Sequence, residues 1–263
     1  MVREKRFLMD VGIKDLPFPM KVISKSEPAG QSTIAGITIN ARIMREFEAN
    51  WIDTFIKIVH SHKGKIGTET LQHNIMDYLH QLKATMVTID FNYPYFAEKE
   101  TPVTGEKGLV KYNCRYMAKA SSVEDTAKII FKIEVPVITT YPASVPEEKG
   151  GLFGQLSIVD IEIESRKNIF PEELVEIADR HALAPTYSFL SEKDQIHIIK
   201  KIHSEMKDSV VMTDEIKSDL SKNPDIEWYL VRTSNFGMLH SYSTFIGTEK
   251  SMWVPFSGYN ETM

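Results

Sequence analysis

The sequence holds one cysteine among 263 residues. An intramolecular disulfide is therefore impossible, and every zinc motif built on paired cysteines is excluded. No apolar run approaches the roughly 20 residues a helix needs to cross a bilayer, so no membrane partner is expected. Basic charge is also short. There are 31 Lys and Arg against 36 Asp and Glu, a net charge of −5. Nucleic-acid binding needs a basic footprint, so no nucleic-acid partner is expected. Met1 to Asp10 is charged and has no apolar signal core, which points to a cytoplasmic protein. Cys114 sits between Tyr112 and Tyr116 in an alternating run. It reads as a small strand residue in a reducing compartment.

What remains is the composition of an ordinary soluble protein, 42% hydrophobic and 25% charged. Met20 to Ser26 and Ser32 to Asn40 read as strands joined by the turn Glu27-Pro28-Ala29-Gly30. Glu46 to Ser61 places Phe47, Trp51, Phe55, Ile58 and Val59 at helical spacing. Thr68 is expected to cap a second helix with Leu71, Ile75, Met76, Leu79 and Leu82 on one face. Ala84 to Phe96 and Gly108 to Ala120 read as strands. The order then repeats. Thr126 to Ile138 and Gln155 to Glu164 alternate, and Pro171 opens a helix with Leu174, Ile177 and Ala178 inward. Helical segments run from Glu192 to Leu220, and Asn223-Pro224-Asp225 ends them. Ile226 to Ser234 and Ser241 to Thr248 close the chain as strands.

Each half thus reads strand, strand, helix, helix, strand, strand, with the boundary between residues 122 and 123. Antiparallel pairs with helices on one face make an α+β fold. The open edges of such sheets invite pairing with another copy of the chain.

Several segments together resemble the GTP cyclohydrolase type IB family. They are Val11-Gly12-Ile13-Lys14-Asp15-Leu16 with Pro19, and Tyr93-Pro94-Tyr95-Phe96-Ala97-Glu98-Lys99 continuing to Pro102-Val103-Thr104-Gly105. They are joined by Glu134 to Thr140, by Asn223 to Trp228, and by Asn235-Phe236 with His240. The resemblance implies a tunnelling fold (T-fold) of two β-β-α-α-β-β units. It also implies a homotetramer with sites for planar heterocycles at subunit interfaces, and ring opening of GTP by metal-activated water.

The resemblance fails at the residues that carry that chemistry. The family's Cys-Pro-Cys-Ser loop stands here as Tyr141-Pro142-Ala143-Ser144, so the metal-binding cysteine is Tyr141. Its Gly-Ala-His-Asn-Gln motif stands as Gly151-Leu152-Phe153-Gly154-Gln155, with Phe153 for histidine. Its Arg-Pro-Asp-Glu stands as Glu192-Lys193-Asp194-Gln195, with an amide for the ligand carboxylate. The final histidine pair is His240 and Tyr242, and an N-terminal Gly-Thr-His-Met-Ser-Arg motif is Ala49-Asn50-Trp51-Ile52-Asp53-Thr54. The purine-anchoring glutamate falls near Val210 or Val211, where Asp208 or Asp214 could substitute. A catalytic metal needs three or four convergent anionic or imidazole ligands, so neither metal nor other cofactor is expected.

Tyr141, Phe153, Trp51 and Tyr242 are aromatic where the family is polar. Two readings stand side by side: a vacated site filled by packing, or a pocket rebuilt to stack a flat ring. In the second, Ser144, Gln155, Gln195 and His240 supply hydrogen bonds. His240 is the candidate acid–base, because imidazole exchanges protons near neutrality. The expected activity is metal-independent chemistry on a purine- or pterin-like ring. The alternatives are a non-catalytic ligand-binding or regulatory paralogue, and residual GTP cyclohydrolase activity. His60, His62, His197 and His203 read as solvated helix positions, and Pro146 to Gly151 as either a lid or an ordinary loop.

Overall fold

The computed structural model describes residues 8–44, 51–61, 65–123, 127–146 and 151–250. The chain forms two compact units. The first comprises residues 1–96, 111–133 and 164–173, and the second comprises 97–110, 134–163 and 174–263. Compactness therefore divides the chain differently from the sequence repeat. The boundary between the units falls within four strands.

In the first unit β1 (Leu8–Val22) pairs antiparallel with β2 (Gln31–Met44). The expected turn joins them. Gly30 donates its N–H to the Glu27 carbonyl at 2.8 Å with φ +90°, a conformation glycine adopts at little cost. β1 starts well before Met20. Its first half departs from simple alternation because the register shifts between Ile13 and Leu16, with Asp15 at φ +53°. Such a bulge switches the inward-facing parity from Val11 to Phe18, Met20 and Val22. β1 also ends at Val22 rather than Ser26, because Ser24 turns inward and accepts from the Glu27 N–H.

Helix α1 (Trp51–Ser61) buries Phe55, Ile58 and Val59, while Phe47 lies outside the described residues. The short strand β3 (Lys65–Ile66) precedes α2 (Thr68–Gln81), which buries Leu71, Ile75 and Leu79. The capping expectation needs correction. Gly67 is the N-cap and Thr68 is the first helical residue. Thr68 is buried, with its hydroxyl engaged by Tyr116. Strands β4 (Met86–Glu100) and β5 (Lys107–Ser121) complete the order β5-β4-β2-β1-β3. Phe18, Ile37 and Phe91 of the sheet meet Val59, Leu71 and Tyr78 of the helices across one small cleft. The helices therefore cover one sheet face.

The second unit carries most of β6 (Lys128–Thr140) and β7 (Gly154–Ser165). Then come α3 (Pro171–His181), the short β8 (Ala184–Pro185) on β6, α4 (Glu192–Ser204) and α5 (Ser209–Lys222). Strands β9 (Ile226–Phe236) and β10 (Thr244–Glu249) finish the order β10-β9-β7-β6. The helical segments expected from Glu192 to Leu220 are the two helices α4 and α5. The chain leaves α4 because Lys207 accepts from the Thr140 N–H and donates its own N–H to the Thr140 hydroxyl, and Asp208 then caps α5 through the Val211 N–H. The whole is an α+β fold with antiparallel sheets and helices on one face, and the second repeat carries one more helix than the first.

Candidate functional site

The turn between β6 and β7 gathers four of the candidate residues. Tyr141 donates its N–H to the Phe153 carbonyl at 2.9 Å, extending the strand pairing past the end of β6. The two rings then stack at 4.8 Å and 18°. An aromatic pair of this kind contributes about 0.5–1.5 kcal/mol beyond its burial. Ser144 closes the turn. Its N–H and its hydroxyl both reach the Tyr141 carbonyl, at 3.0 and 2.7 Å. Pro142 pre-sets the backbone of that turn. Tyr141 and Ser144 are buried. The loop residues 147–150 of the lid reading lie outside the described residues.

Gln155 is buried beneath this pair. Its Nε2 donates to Thr139 Oγ1 at 3.3 Å and to the Thr140 carbonyl at 3.5 Å. Thr139 shares a 2.8 Å bond with Ser157, and Ser157 donates to Asn235 Oδ1 at 2.8 Å. Asn235 Nδ2 donates onward to Ser209 at 3.0 Å. A buried polar chain is tolerable only when each member finds a partner, and here each does. Gly237 follows β9 and passes against Tyr141. A methyl placed on it would stand 2.9 Å from Tyr141 Cε2.

The remaining candidates have other partners. His240 and Tyr242 occupy the exposed loop between β9 and β10, where their rings stack at 4.8 Å and 16°. Gln195 is exposed on α4 and donates to the Leu190 carbonyl at 3.0 Å. Trp51 belongs to the first unit, packed edge-on against Phe55 at 5.5 Å. Asp208 is spent as a helix cap, and Asp214 pairs with Lys217.

The residues at the metal-ligand positions do not fit an ion. Tyr141 and Phe153 face each other, Gln195 bonds its own loop, and His240 stacks on Tyr242. Among the described residues no group of three or more His, Cys, Asp or Glu side chains is arranged to hold a metal.

Asp194 was not singled out in the sequence, although it is wholly buried at the start of α4. It accepts from the Val103 and Thr104 N–H groups at 2.8 and 3.1 Å, and from the Thr104 and Ser191 hydroxyls at 2.7 and 2.5 Å. Burial pushes its carboxyl up, but these donors outweigh burial and hold it well below the ordinary carboxylate range. It pins the turn after β4 onto α4. Its signal in the sequence was its place beside Gln195, within a segment already quoted.

The two units, with helices on one face of each antiparallel sheet, define a T-fold protein. Uricase from Arthrobacter globiformis superposes with a TM-score of 0.54 at 10% identity, over 97% of each chain. A uricase from Bacillus fastidious gives 0.56 at 9%, covering 92% of this chain and 93% of its own. The chain itself belongs to the type I GTP cyclohydrolase FolE2 family, whose model matches residues 3–245. It is 32% identical to GTP cyclohydrolase FolE2 of Dictyoglomus turgidum over 248 residues, covering 94% of both chains. It is also 32% identical to that of Thermotoga maritima over 250 residues, covering 94% of this chain and 93% of the relative.

Proposed function

We propose that this chain is a GTP cyclohydrolase-like enzyme that acts on a planar purine- or pterin-like heterocycle by acid–base chemistry without a bound metal. One observation carries the reading. The positions where the resemblance places a thiolate and an imidazole hold a self-stacked Tyr141–Phe153 pair, while the remaining imidazole, His240, is exposed and parallel to Tyr242. An imidazole on an accessible surface can pass a proton to a ring nitrogen or from an attacking water. A parallel phenol beside it offers a stacking surface.

The reading includes a homotetramer with sites at subunit interfaces. Phe236, Met238, Leu239, Tyr242 and Phe245 are exposed on one hairpin, and β10 stands at the edge of its unit's sheet. Contiguous apolar surface beside an open edge favours association with a second copy.

The test is incubation of the purified chain with GTP and a panel of purine and pterin rings, with products read by mass spectrometry. Turnover that survives chelation and is lost in His240→Ala, with the oligomer intact, supports the reading. Stoichiometric tight metal together with formate release from GTP overturns it in favour of residual GTP cyclohydrolase activity. A second reading, a non-catalytic binding paralogue, is favoured by the burial of Tyr141, Ser144 and Gln155 among partners of their own chain. Saturable ring binding with no product at any enzyme concentration selects it.

A further inference from the structure

Helix α3 ends on His181, and both nitrogens of its ring face carboxylates of α5. Nδ1 lies 3.2 Å from Glu215 Oε2, and Nε2 lies 2.7 Å from Asp219 Oδ2. Glu215 and Asp219 are one helical turn apart, so they share a face and can take the two edges of one ring. An ionised carboxylate can only accept, so a ring nitrogen must carry a proton to bond it. Imidazolium satisfies both contacts. Neutral imidazole satisfies one and sets a lone pair against the other carboxylate. Three cations surround this pair. Arg180 of α3 and Lys222 of α5 reach Asp219 at 3.1 and 2.8 Å, and Lys207 of the α4–α5 link reaches Glu215 Oε2 at 2.5 Å. Lys222 and then His181 hold the Asp219 carboxyl low, and Lys207 does the same for Glu215. Both acids therefore stay ionised between about pH 5 and 8, where imidazole exchanges its proton. The cations oppose a charge on the ring, but Arg180 and Lys222 are exposed and screened by water. The side chains of His181 and Asp219 are only 17% and 19% exposed. Asp179 of α3 and Asp214 of α5 are engaged elsewhere, by Lys99 and Lys217.

The ring also occupies a mechanical position. Two residues after it, the Leu183 N–H bonds the Ile138 carbonyl at 3.0 Å, and Ala184 and Pro185 pair with Ile138 and Val137. On the other side Lys207 accepts from the Thr140 N–H at 2.8 Å and returns its own N–H to the Thr140 hydroxyl at 2.7 Å. Two segments thus hold the last residues of β6. One follows His181 directly in the chain, and the other is joined to it through Lys207 and Glu215. We propose that His181 is a proton-operated clasp. Its imidazolium ties α3 to α5 and steadies the end of β6, where the Tyr141 turn begins. Loss of one proton releases a carboxylate and loosens that turn. The two acceptors stand beside the ring only in the folded chain. The contribution of the clasp is therefore complete at the acid end of the imidazole range and is lost as pH rises through it.

Amide hydrogen exchange on the full chain tests the clasp, read as protection factors so that the base-catalysed rate of an unstructured amide is divided out. The Thr140 amide is the reporter. The Thr101 amide, bonded to the Glu106 carbonyl at 2.9 Å, is the control. Between about pH 6 and about pH 8 the protection of Thr140 is expected to fall roughly three- to tenfold, the worth of one hydrogen bond, while that of Thr101 holds. His181→Gln keeps a donor and an acceptor but cannot gain a proton, so the fall should vanish in it. Glu215→Gln should also remove the fall, because its amide can bond the neutral ring. Nitrogen-15 NMR of the His181 ring needs no substitution. It should show protons on both nitrogens near pH 6 and on one near pH 8. Flat Thr140 protection, an equal fall at Thr101, a fall that persists in His181→Gln, or a single neutral tautomer near pH 6 would each overturn the clasp.

Discussion

Gly237→Ala tests how closely the β9–β10 loop leans on the candidate site. The added methyl carbon would stand 2.9 Å from Tyr141 Cε2 and 3.8 Å from Tyr141 Cδ2 and Gln155 Oε1. Carbon atoms in contact prefer about 3.5–4.0 Å, so ring or loop must yield by about 0.6 Å. The ring has little freedom. It is 5% exposed, stacked on Phe153, and its own backbone N–H is held by the Phe153 carbonyl. The loop side is softer, because the residues from Met238 to Ser243 are exposed. Overpacking costs about 1–3 kcal/mol, and a yielding loop puts this case near the lower half of that range. For a chain of this length each kcal/mol moves Tm by roughly 2–4 °C, so a fall of about 2–8 °C is expected. Thermal unfolding followed by far-ultraviolet circular dichroism gives Tm, and the near-ultraviolet signal reports the tyrosine environment. Gly36→Ala is the control, because nothing lies within 4 Å of a methyl there. The losses from Tyr141→Ala and Gly237→Ala should be less than additive, with a coupling of about 1 kcal/mol. If Gly237→Ala melts with the unsubstituted chain and its near-ultraviolet spectrum is unchanged, the close approach is refuted.

Thr213→Val removes a hydroxyl that bonds Thr233 and the Ser209 carbonyl, both at 2.7 Å, and strands a fully buried Thr233. A loss of about 1–3 kcal/mol is expected in urea unfolding. Phe131 is 2% exposed and packs at 4.7 Å on Tyr116, so Phe131→Ala should cost about 3–5 kcal/mol by the same assay. Asp219 is held at about 2, first by the Lys222 ammonium and then by His181. A carboxyl lowered in this way adds stability above its ordinary range and loses it as pH falls from about 4 to 2. Solvent screening reduces the contribution to about 1 kcal/mol. Asp219→Asn should therefore flatten the acid limb of stability against pH while lowering the plateau at neutral pH. An unchanged limb would show that the cluster is too solvated to matter.

The strands that alternate without interruption were legible, and β6 and β7 show why. Their inward residues Phe131, Ile133, Val135 and Val137, and then Val159, Ile161 and Ile163, keep one parity throughout. The first half of β1 was hidden because Asp15 breaks that parity. The break between α4 and α5 was hidden for another reason. It is made by two bonds between Lys207 and Thr140, one backbone to backbone and one from the Lys207 N–H to the Thr140 hydroxyl, which no local pattern records.

The same distinction governs the candidate site. Tyr141 and Phe153 are brought together by the antiparallel pairing of consecutive strands, so their closeness follows from spacing along the chain. Gln195 looked like a member of the group because of its motif, yet its amide bonds the Leu190 carbonyl five residues away. The neighbouring Asp194 stands at the start of α4, where an acid is ordinarily solvated. Instead it faces inward to Val103 and Thr104, about ninety residues earlier in the chain. Asn235 is the sharpest case. A strand position with a polar side chain reads as the solvent face, because alternation assigns faces by parity and carries no information about hydrogen-bond partners. Its burial is possible only because Ser157, Ser209 and Thr244 supply complementary donors and acceptors from three separate elements. Polar matching of this kind is fixed by tertiary register. Buried polar partners of this kind are therefore harder to find in a sequence than residues that share a strand face.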